Sequence, residues 1–295
     1  MDLTDRVRSG CREIAERAHS VAIDSERLAM LEAEAVAIEP APLDPERHYL
    51  EGTPEDVASY LLALDSINFG SGWSPTLRKR PGCSGYYTVA WALADRWRSP
   101  GPWTAAELAA LDGPEVAAVL GQEPDHELMA LYARALRELA AFLGDRGALE
   151  LVEDARGSAL QLASMCASGM PMFDDVGFWK RAQIVPNDLA LAGVASFGDL
   201  DRLTIFADNL VPHVLRMDGV LRYSEALAAR IDAGKLLPAG SPEEREIRAC
   251  AVHACELISA GSGVPARTLD TWLWNRGQAP AYKAVARHRT RTVYY

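Results

Sequence analysis

Apolar residues recur along this chain at intervals of three and four positions, and runs of alternating β-branched residues are almost absent. That periodicity is typical of amphipathic helices. It predicts helices over residues 104–111, 113–121, 125–144 and 147–168. The segment GYYTVAW, residues 85–91, is the best candidate for a short strand.

Two helix starts are clear in the sequence. In TPEDVASYLLALDSI, Thr53 is expected to cap a helix, with Pro54 at the first helical position and two acids in the first turn. The segment SPEEREIRACAVHACELISA repeats this pattern, with Ser241 as the cap and Pro242 after it. The loops between helices are short and rich in Gly, Pro and Ser, so no long flexible linker is expected.

The chain therefore predicts a mostly α-helical protein with few short strands. A length of 295 residues is enough for one large domain. We expect a single compact, multi-helical catalytic domain over residues 1–295. Within it, residues 1–45 are expected to form an N-terminal helical subregion packed against the body.

Composition and charge narrow the classes of function. A hydrophobic fraction of 49% and a charged fraction of 24% are typical of a globular protein. A formal charge of -11 argues against non-specific nucleic-acid binding, which needs a basic surface, although a local basic cluster could still hold a small anion. The segment MDLTDRVRSG lacks an apolar signal core, and no run approaches the length of a membrane span. We therefore expect a cytoplasmic protein without membrane contact.

The five cysteines are scattered and form no CxxC pair, which favours a reducing compartment over a disulfide framework. Cys250 and His253 lie three apart on a predicted helix and could share a metal, but no second ligand pair has suitable spacing. We therefore expect no metal and no other cofactor. The signatures of phosphate-binding loops, dinucleotide sites, zinc proteases and nucleophile elbows are missing too.

Asp208 lies in the middle of LTIFADNLVPHVLRM, a mostly apolar stretch over residues 203–217. A charge in such surroundings must be paired with an opposite charge, cap a helix or serve a function. Asp208 could cap a helix that begins just after it, and composition alone favours this interpretation. It could instead be a carboxylate at the floor of an apolar pocket, where desolvation and fixed geometry suit an electrostatic or nucleophilic role.

Two further stretches carry unusual side chains. In FWKRAQIVPNDL, Lys180 and Arg181 could be solvated cations on a surface helix, or could bind phosphate at an aromatic-lined mouth. In TLDTWLWNRG, adjacent stripes of a predicted helix carry polar and indole groups. Core packing of the two tryptophans explains this pattern, but Asp270, Thr271 and Asn275 could instead contact hydroxyls or an amine of a ligand.

The C-terminal VARHRTRTVYY concentrates positive charge in an acidic chain, through Arg287, Arg289 and Arg291. A solvated tail is the usual reading of such an end. The apolar Val-Tyr-Tyr favours docking against the body, with some arginines turned towards an anion.

The segment INFGSGW sets Asn68, Phe69 and Trp73 around glycines. A loop of this composition could present an aromatic face to a planar ligand. Anchoring of Phe69 in the core explains the composition equally well.

These stretches together resemble the queuosine salvage proteins, the queuosine 5'-phosphate N-glycosylase/hydrolase family. The resemblance runs from about residue 45 to the end. The matching segments follow one another in the family's order: LDSINF, FWKRAQIVPNDL, LTIFADNLVPHVLRMDGVLRYSEAL, EREIRACAVHACELI, LDTWLWN and HRTRTVYY.

The resemblance implies an enzyme that cleaves the N-glycosidic bond of queuosine 5'-monophosphate, giving queuine and ribose 5-phosphate for queuine salvage and tRNA modification. It implies a helical fold similar to that of helix-hairpin-helix DNA glycosylases. It places the catalytic aspartate at Asp208, with Phe206 against the base. The other ligand contacts that it implies are His48, Asp270, Thr271 and Asn275.

The chemistry of this reaction suits these side chains. Breaking a C1'–N bond develops positive charge on the ribose, which a carboxylate beneath C1' can stabilise or attack. The phosphate calls for cations, and an aromatic ring from Phe69, Trp73 or Phe206 would stack on the planar base. The candidate phosphate-binding cations are Lys180, Arg181, Arg289 and Arg291.

Two alternatives remain open at this point. One is a base-excision-type glycosylase that acts on nucleic acid, which the charge of -11 disfavours. The other is a non-catalytic helical module that binds a modified nucleoside. We expect a monomer that acts on a small-molecule substrate and binds neither nucleic acid nor membrane.

Overall fold

The computed structural model describes residues 1–295, and most of the chain is helical. The helices and strands are α1 (Leu3–Glu16), β1 (Val21–Ile23), α2 (Ser25–Ala35), α3 (Pro54–Ser66), α4 (Gly85–Arg98), α5 (Ala105–Ala110), α6 (Gly113–Leu120), α7 (Glu127–Leu143), α8 (Ala148–Asp154), α9 (Ala159–Gly169), α10 (Lys180–Leu191), α11 (Val211–Met217), β2 (Leu221–Tyr223), α12 (Glu225–Asp232), α13 (Pro242–Ser262), α14 (Ala266–Arg276) and α15 (Pro280–Lys283). Short 3-10 helices cover Ser71–Thr76, Pro171–Phe173 and Leu200–Arg202. The prediction of a mostly α-helical fold with few short strands is confirmed.

Both predicted helix starts are confirmed by their caps. The Thr53 hydroxyl accepts a hydrogen bond from the Asp56 amide at 3.2 Å, and the Asp56 carboxylate accepts one from the Thr53 amide at 3.3 Å. Ser241 likewise accepts from the Glu244 amide at 3.3 Å. These side chains satisfy amides that the first turn of a helix leaves unpaired.

The strand predicted over residues 85–91 is wrong, because this segment is the first half of α4. The Ser84 hydroxyl caps the helix by accepting from the Tyr87 amide at 3.2 Å. The buried positions of α4 follow helical spacing, with Val89, Leu93 and Trp97 on the inner face. Burial of that face outweighs the local preference of aromatic and β-branched residues for strands.

The helix predicted over residues 147–168 is divided into α8 and α9. Arg156 and Gly157 between them have φ angles of 53° and 73°, in the left-handed region that ends a helix. Ser158 then caps α9 by accepting from the Gln161 amide at 3.1 Å.

The N-terminal elements pack against the C-terminal third of the chain. Strand β1 pairs with β2 in antiparallel register, with Val21 opposite Tyr223. Helices α1 and α2 both pack on α13. The buried Glu246 carboxylate of α13 accepts hydrogen bonds from the amides of His19 and Ser20, at 3.1 and 2.7 Å.

Helix α10 lies in the centre of the molecule, between α3 and α9. Every residue from Lys180 to Leu189 is buried, so α10 is not a surface helix with solvated cations. In a helix buried on all sides, each polar side chain needs a hydrogen-bond partner or access to a cavity. Those of Lys180 and Asp188 reach a cavity, which is described below.

The C-terminal segment docks against the body. The Gly70 amide donates to the Tyr295 carbonyl at 3.0 Å, and Tyr295 is buried. The Thr290 carbonyl passes so close to Gly72 that a Cβ there would lie 2.3 Å from its oxygen, which explains why glycine occupies this position. In the whole molecule, no helix is both long enough and apolar enough to cross a membrane.

Candidate active site

A cavity of about 480 Å³ opens where α4, α10, α14 and the C-terminal segment meet. Its wall also includes the residues around Asp208, between the extended segment after Leu203 and the start of α11. Most of the residues singled out from the sequence line this cavity: His48, Asn68, Phe69, Lys180, Phe206, Asp208, Asp270, Thr271, Asn275, Arg287 and Arg289.

The extended segment before Asp208 is held on several sides. The Phe206 amide donates to the Asp270 carboxylate at 2.8 Å, which ties the segment to α14. The Ala207 carbonyl accepts from Arg248 Nε at 3.0 Å, which ties it to α13. Because the backbone on the N-terminal side of Asp208 is fixed by two elements, the carboxylate has a defined position.

Asp208 both caps a helix and faces the cavity. Its Oδ1 accepts hydrogen bonds from the amides of Leu210 and Val211, at 2.7 and 3.0 Å, just where α11 begins. These two bonds fix the orientation of the carboxylate. Its Oδ2 accepts no hydrogen bond from the protein and is free to interact with a ligand. The two interpretations of Asp208 are therefore compatible.

A second carboxylate and a lysine share the cavity wall with Asp208. Burial, reinforced by the negative charge of Asp208, raises the pKa of Asp270 well above its ordinary value. Burial lowers the pKa of Lys180 to about 8, although the charge of Asp208 opposes this shift. Lys180 Nζ donates to the backbone and side-chain oxygens of Asn68, at 2.8 and 3.1 Å.

A group of aromatic rings surrounds His48 at another part of the wall. His48 Nδ1 lies 2.8 Å from the Asp44 carbonyl, and its Nε2 lies 2.9 Å from the Tyr86 hydroxyl. Burial lowers the pKa of His48, which favours the neutral ring. Since a carbonyl can only accept, Nδ1 carries the proton and Nε2 accepts from Tyr86. Trp274 packs edge-on against Tyr86 and Tyr87, with ring centroids 5.5 and 5.4 Å apart.

Asp188 is a cavity-lining acid that sequence reasoning missed. Its Oδ1 accepts from Asn187 Nδ2 at 3.0 Å. Behind it, Asp65 is fully buried, and neither oxygen of its carboxylate has a hydrogen-bond partner. Burial raises the pKa of Asp188 to about 6, and burial together with the charge of Asp188 raises the pKa of Asp65 well above its ordinary value.

Replacing Asp188 with asparagine is expected to stabilise the protein at pH 8. An acid whose pKa is higher in the folded state binds protons preferentially there, so folding stability is lost as the pH rises from 3.8 through about 6. The substitution removes this loss and should raise the free energy of unfolding at pH 8 by up to about 3 kcal/mol.

Urea denaturation at pH 4 and pH 8 measures this effect. The gain should be much smaller at pH 4, where the parent carboxyl is largely protonated. Asp125→Asn, at an exposed position, is the matched control and should be neutral at both pH values. An equal change at pH 4 and pH 8 for Asp188→Asn would contradict the shifted pKa.

Three residues considered from the sequence lie outside the cavity. Arg181 points away from it, donating to the carbonyls of Ser66 and Met172. Arg291 pairs with Glu127 at 3.0 Å and lies over the ring of Trp73, whose own Nε1 donates to Glu127 at 2.8 Å. The structure therefore brings neither of these arginines, nor Trp73, to the candidate site.

Helical spacing explains which residues of α10 and α14 line the cavity. Applied to α10, the same spacing would have predicted that Asp188 lies on the lining face. Along α10, the lining residues include Lys180, Ile184 and Asp188, at steps of four. Along α14, Asp270 and Trp274 are also four apart, as are Thr271 and Asn275. Each set marks one face of a helix. No group of three or more His, Cys, Asp or Glu side chains in the molecule is arranged to hold a metal ion.

The chain is similar to proteins of one family. A family model described as queuosine salvage protein matches residues 47–295. A protein from Sphaerobacter thermophilus named queuosine 5'-phosphate N-glycosylase/hydrolase is 36% identical over 311 residues, which cover 96% of each chain. Proteins with the same name from Mus musculus and Bos taurus are 29% and 28% identical, covering 98% and 83% of each chain.

Proposed function

This chain belongs to the queuosine salvage protein family, and on that premise we propose that its cavity binds queuosine 5'-phosphate and hydrolyses the N-glycosidic bond. The products are queuine, which re-enters tRNA modification, and ribose 5-phosphate. The observation that carries this proposal is Asp208, a carboxylate oriented by two backbone amides with its second oxygen free at the cavity wall.

Asp208 acts on the carbon at which the bond breaks. As the C1'–N bond lengthens, positive charge develops on the ribose, and a fixed carboxylate in a partly desolvated cavity stabilises that charge. The oxygen of a water molecule joins C1', and the base leaves with a proton. A carboxylate in this position can also attack C1' directly, and trapping a ribosyl-enzyme adduct for mass spectrometry distinguishes the two routes.

The remaining cavity residues bind the base and its substituent. Phe206 offers a ring to the planar base, and its backbone is fixed by Asp270. Queuosine carries a secondary ammonium and a cyclopentenediol, for which the cavity offers a carboxylate, neutral hydrogen-bonding groups and a lysine. These are His48, Asn68, Lys180, Asp270, Thr271 and Asn275, with Phe69 as a second apolar wall.

Hydrolysis of queuosine 5'-monophosphate tests the proposal directly. Purified protein is expected to release free queuine and ribose 5-phosphate in equal amounts, as measured by liquid chromatography and mass spectrometry. Absence of both products would refute the activity. Tight, salt-sensitive binding of single-stranded or duplex DNA would instead favour a glycosylase that acts on nucleic acid.

Phe206→Ala is expected to raise the KM for queuosine 5'-monophosphate by about tenfold or more. The reason is that stacking of a base on an aromatic ring contributes on the order of 1–3 kcal/mol. Steady-state kinetics measure the change. Phe142→Ala, at a partly buried ring outside the cavity, is the matched control and should leave KM unchanged. Equal effects of the two substitutions would argue against stacking on Phe206.

The enzyme acts, in this proposal, as a cytoplasmic monomer on a free nucleotide. The formal charge of -11 supports a small substrate over a polyanionic one. Five free cysteines, four of them buried, support a reducing compartment. Light scattering at working concentration measures the oligomeric state.

A further inference from the structure

Cleavage of the N-glycosidic bond needs a proton for the departing base, and Asp208 is not the group to supply it. In the base of queuosine the ring atom at position 7 is carbon, so the base lacks the nitrogen at which purines accept a proton before they leave a ribose. The electron pair of the C1'–N bond must therefore stay on a pyrrole nitrogen, which leaves far more readily when an acid protonates it as the bond breaks. Since Asp208 acts as an ionised carboxylate, the acid is a second group in the cavity.

Asp188 has the geometry of such an acid. It lies on the face of α10 that lines the cavity, one turn after Ile184 and two turns after Lys180. The residue is 7% exposed, so packing holds its carboxyl group and shields it from bulk solvent. Its Oδ1 accepts from Asn187 Nδ2 at 3.0 Å, and its Oδ2 has no partner in the protein. A proton on Oδ2 is therefore available to a ligand in the cavity.

Asp188 differs from the other acids on the cavity wall in its hydrogen bonds. Four acids line the cavity, and three of them, Asp44, Asp208 and Asp270, accept hydrogen bonds from backbone amides. Such bonds stabilise the ionised form and tie each carboxylate to holding a segment of the backbone in place. Asp188 accepts only from a neighbouring side chain, so it can take up and release a proton without disturbing the fold.

The surroundings of Asp188 keep a proton available near neutral pH. Lys180 favours the ionised carboxylate, but burial outweighs that charge and raises the pKa of Asp188 to about 6. Behind it, the fully buried Asp65 has no hydrogen-bond partner for either oxygen. A carboxyl group in that position is neutral, and it adds no positive charge that would hold Asp188 ionised. A general acid works best when its pKa lies close to the operating pH, as it does here.

Other proton donors that line the cavity are already engaged. His48 gives its one ring proton to a backbone carbonyl. The Tyr132 hydroxyl donates to the Phe69 carbonyl at 2.8 Å. Lys180 donates hydrogen bonds to the two oxygens of one asparagine. None of these three groups has the free carboxyl oxygen that Asp188 presents.

We propose that Asp188 is the general acid of the reaction, donating its proton to the nitrogen of the departing base while Asp208 acts at C1'. This inference rests on the proposed function and adds a second catalytic residue to it. The C1'–N bond breaks with its electron pair on the base nitrogen, and the Asp188 proton joins that nitrogen. The hydroxide part of a water molecule joins C1', directly or after attack by Asp208, and the remaining proton of that water restores Asp188.

A substrate whose leaving group needs no proton tests this role. In p-nitrophenyl β-D-ribofuranoside 5-phosphate, nitrophenolate leaves C1' as a stable anion. Asp188→Asn is expected to lower kcat/KM for queuosine 5'-monophosphate by about 100-fold or more and to leave kcat/KM for the nitrophenyl compound nearly unchanged. Asp208→Asn should lower both values, because positive charge develops on the ribose with either leaving group. Asp125→Asn, at an exposed position, is the matched control and should lower neither.

The division of the loss between kcat and KM is a second readout, and it decides the question if the parent does not accept the nitrophenyl compound. With queuosine 5'-monophosphate, Asp188→Asn should lower kcat and leave KM close to that of the parent, because the proton moves only in the transition state. Asp188→Glu keeps a carboxyl group and should recover part of kcat. The free energy of unfolding should not fall in Asp188→Asn, so a loss of activity cannot come from a loss of fold.

Several outcomes would overturn the assignment. Equal losses of Asp188→Asn on the two substrates would show that it does not act on the leaving group, and a loss confined to KM would show that it only binds substrate. The same selective loss in Asp270→Asn, but not in Asp188→Asn, would make Asp270 the acid. If Asp188→Asn releases queuine like the parent while Asp208→Asn does not, the acid is wrong and the proposed function stands. If the parent releases no queuine, the proposed function fails and the acid with it.

Discussion

Asp208→Asn is expected to lower kcat/KM for queuosine 5'-monophosphate by about 10³-fold, because a neutral amide cannot stabilise the positive charge that develops on the ribose. The fold should persist. An asparagine side-chain oxygen can still accept from the amides of Leu210 and Val211, so the start of α11 keeps its cap. Steady-state kinetics and thermal unfolding together measure the two expectations.

Asp199→Asn is the matched control for this substitution. Asp199 also uses its carboxylate to hold a helix start, accepting from the Ala159 amide and the Ser158 hydroxyl at 2.6 Å each, but it lies outside the cavity. It shares the capping role of Asp208 and lacks the catalytic one. If Asp208→Asn turns over like the parent, or loses no more activity than Asp199→Asn, the catalytic assignment is wrong.

Asp175→Ala is expected to destabilise the protein by about 3–5 kcal/mol, because it leaves a buried guanidinium without its main partner. Arg248 and Asp175 are 2% and 4% exposed, and two hydrogen bonds of 3.0 and 2.5 Å join them. Burial alone would lower the pKa of Arg248, but the charge of Asp175 and its hydrogen bonds raise it above the ordinary value. Glu244, 3.5 Å from Arg248, offers a weaker second contact.

The control for this second prediction is an ion pair at the surface. Arg146 and Asp154 lie 2.9 Å apart with exposed side chains, and Asp154→Ala should cost less than about 1 kcal/mol. Urea denaturation measures both variants. Asp175→Ala should also lower activity, since Arg248 holds the Ala207 carbonyl next to Asp208. A loss of stability no greater than that of Asp154→Ala would show that the buried pair contributes nothing.

The parts of the fold and of the site that could be predicted from the sequence are those decided by residues close together in the chain. The caps at Thr53 and Ser241 were correct because a cap is decided within four residues. The polar face of α14 was visible for a similar reason, since helical spacing alone places Asp270 and Thr271 next to their partners one turn later. Asp208 stood out because a charge is rare in so apolar a stretch.

The rest depended on packing between distant segments. The composition of GYYTVAW favours a strand, and only burial of one helical face in the folded molecule overrides it. Asp188 was missed because FWKRAQIVPNDL is compatible with a surface helix, and nothing local shows that α10 is surrounded by α3 and α9. The three arginines of the C-terminal segment appear equivalent in sequence. The structure distinguishes them only because the C-terminal segment continues past the cavity, so that Arg291 reaches Glu127.

The docking of the first helix onto α13 also affects how the chain can fold during synthesis. The backbone amide of His19 donates to Glu246, which is made 227 residues later. At ribosomal rates of 5–20 residues per second, roughly 10–45 s pass between the synthesis of His19 and the synthesis of Glu246. During that interval the apolar side of α1, including Leu3, Val7 and Cys11, has none of its final partners on α13. Closure of the N-terminal elements onto α13 is therefore a late event in folding, and the apolar side of α1 is open to aggregation until it occurs.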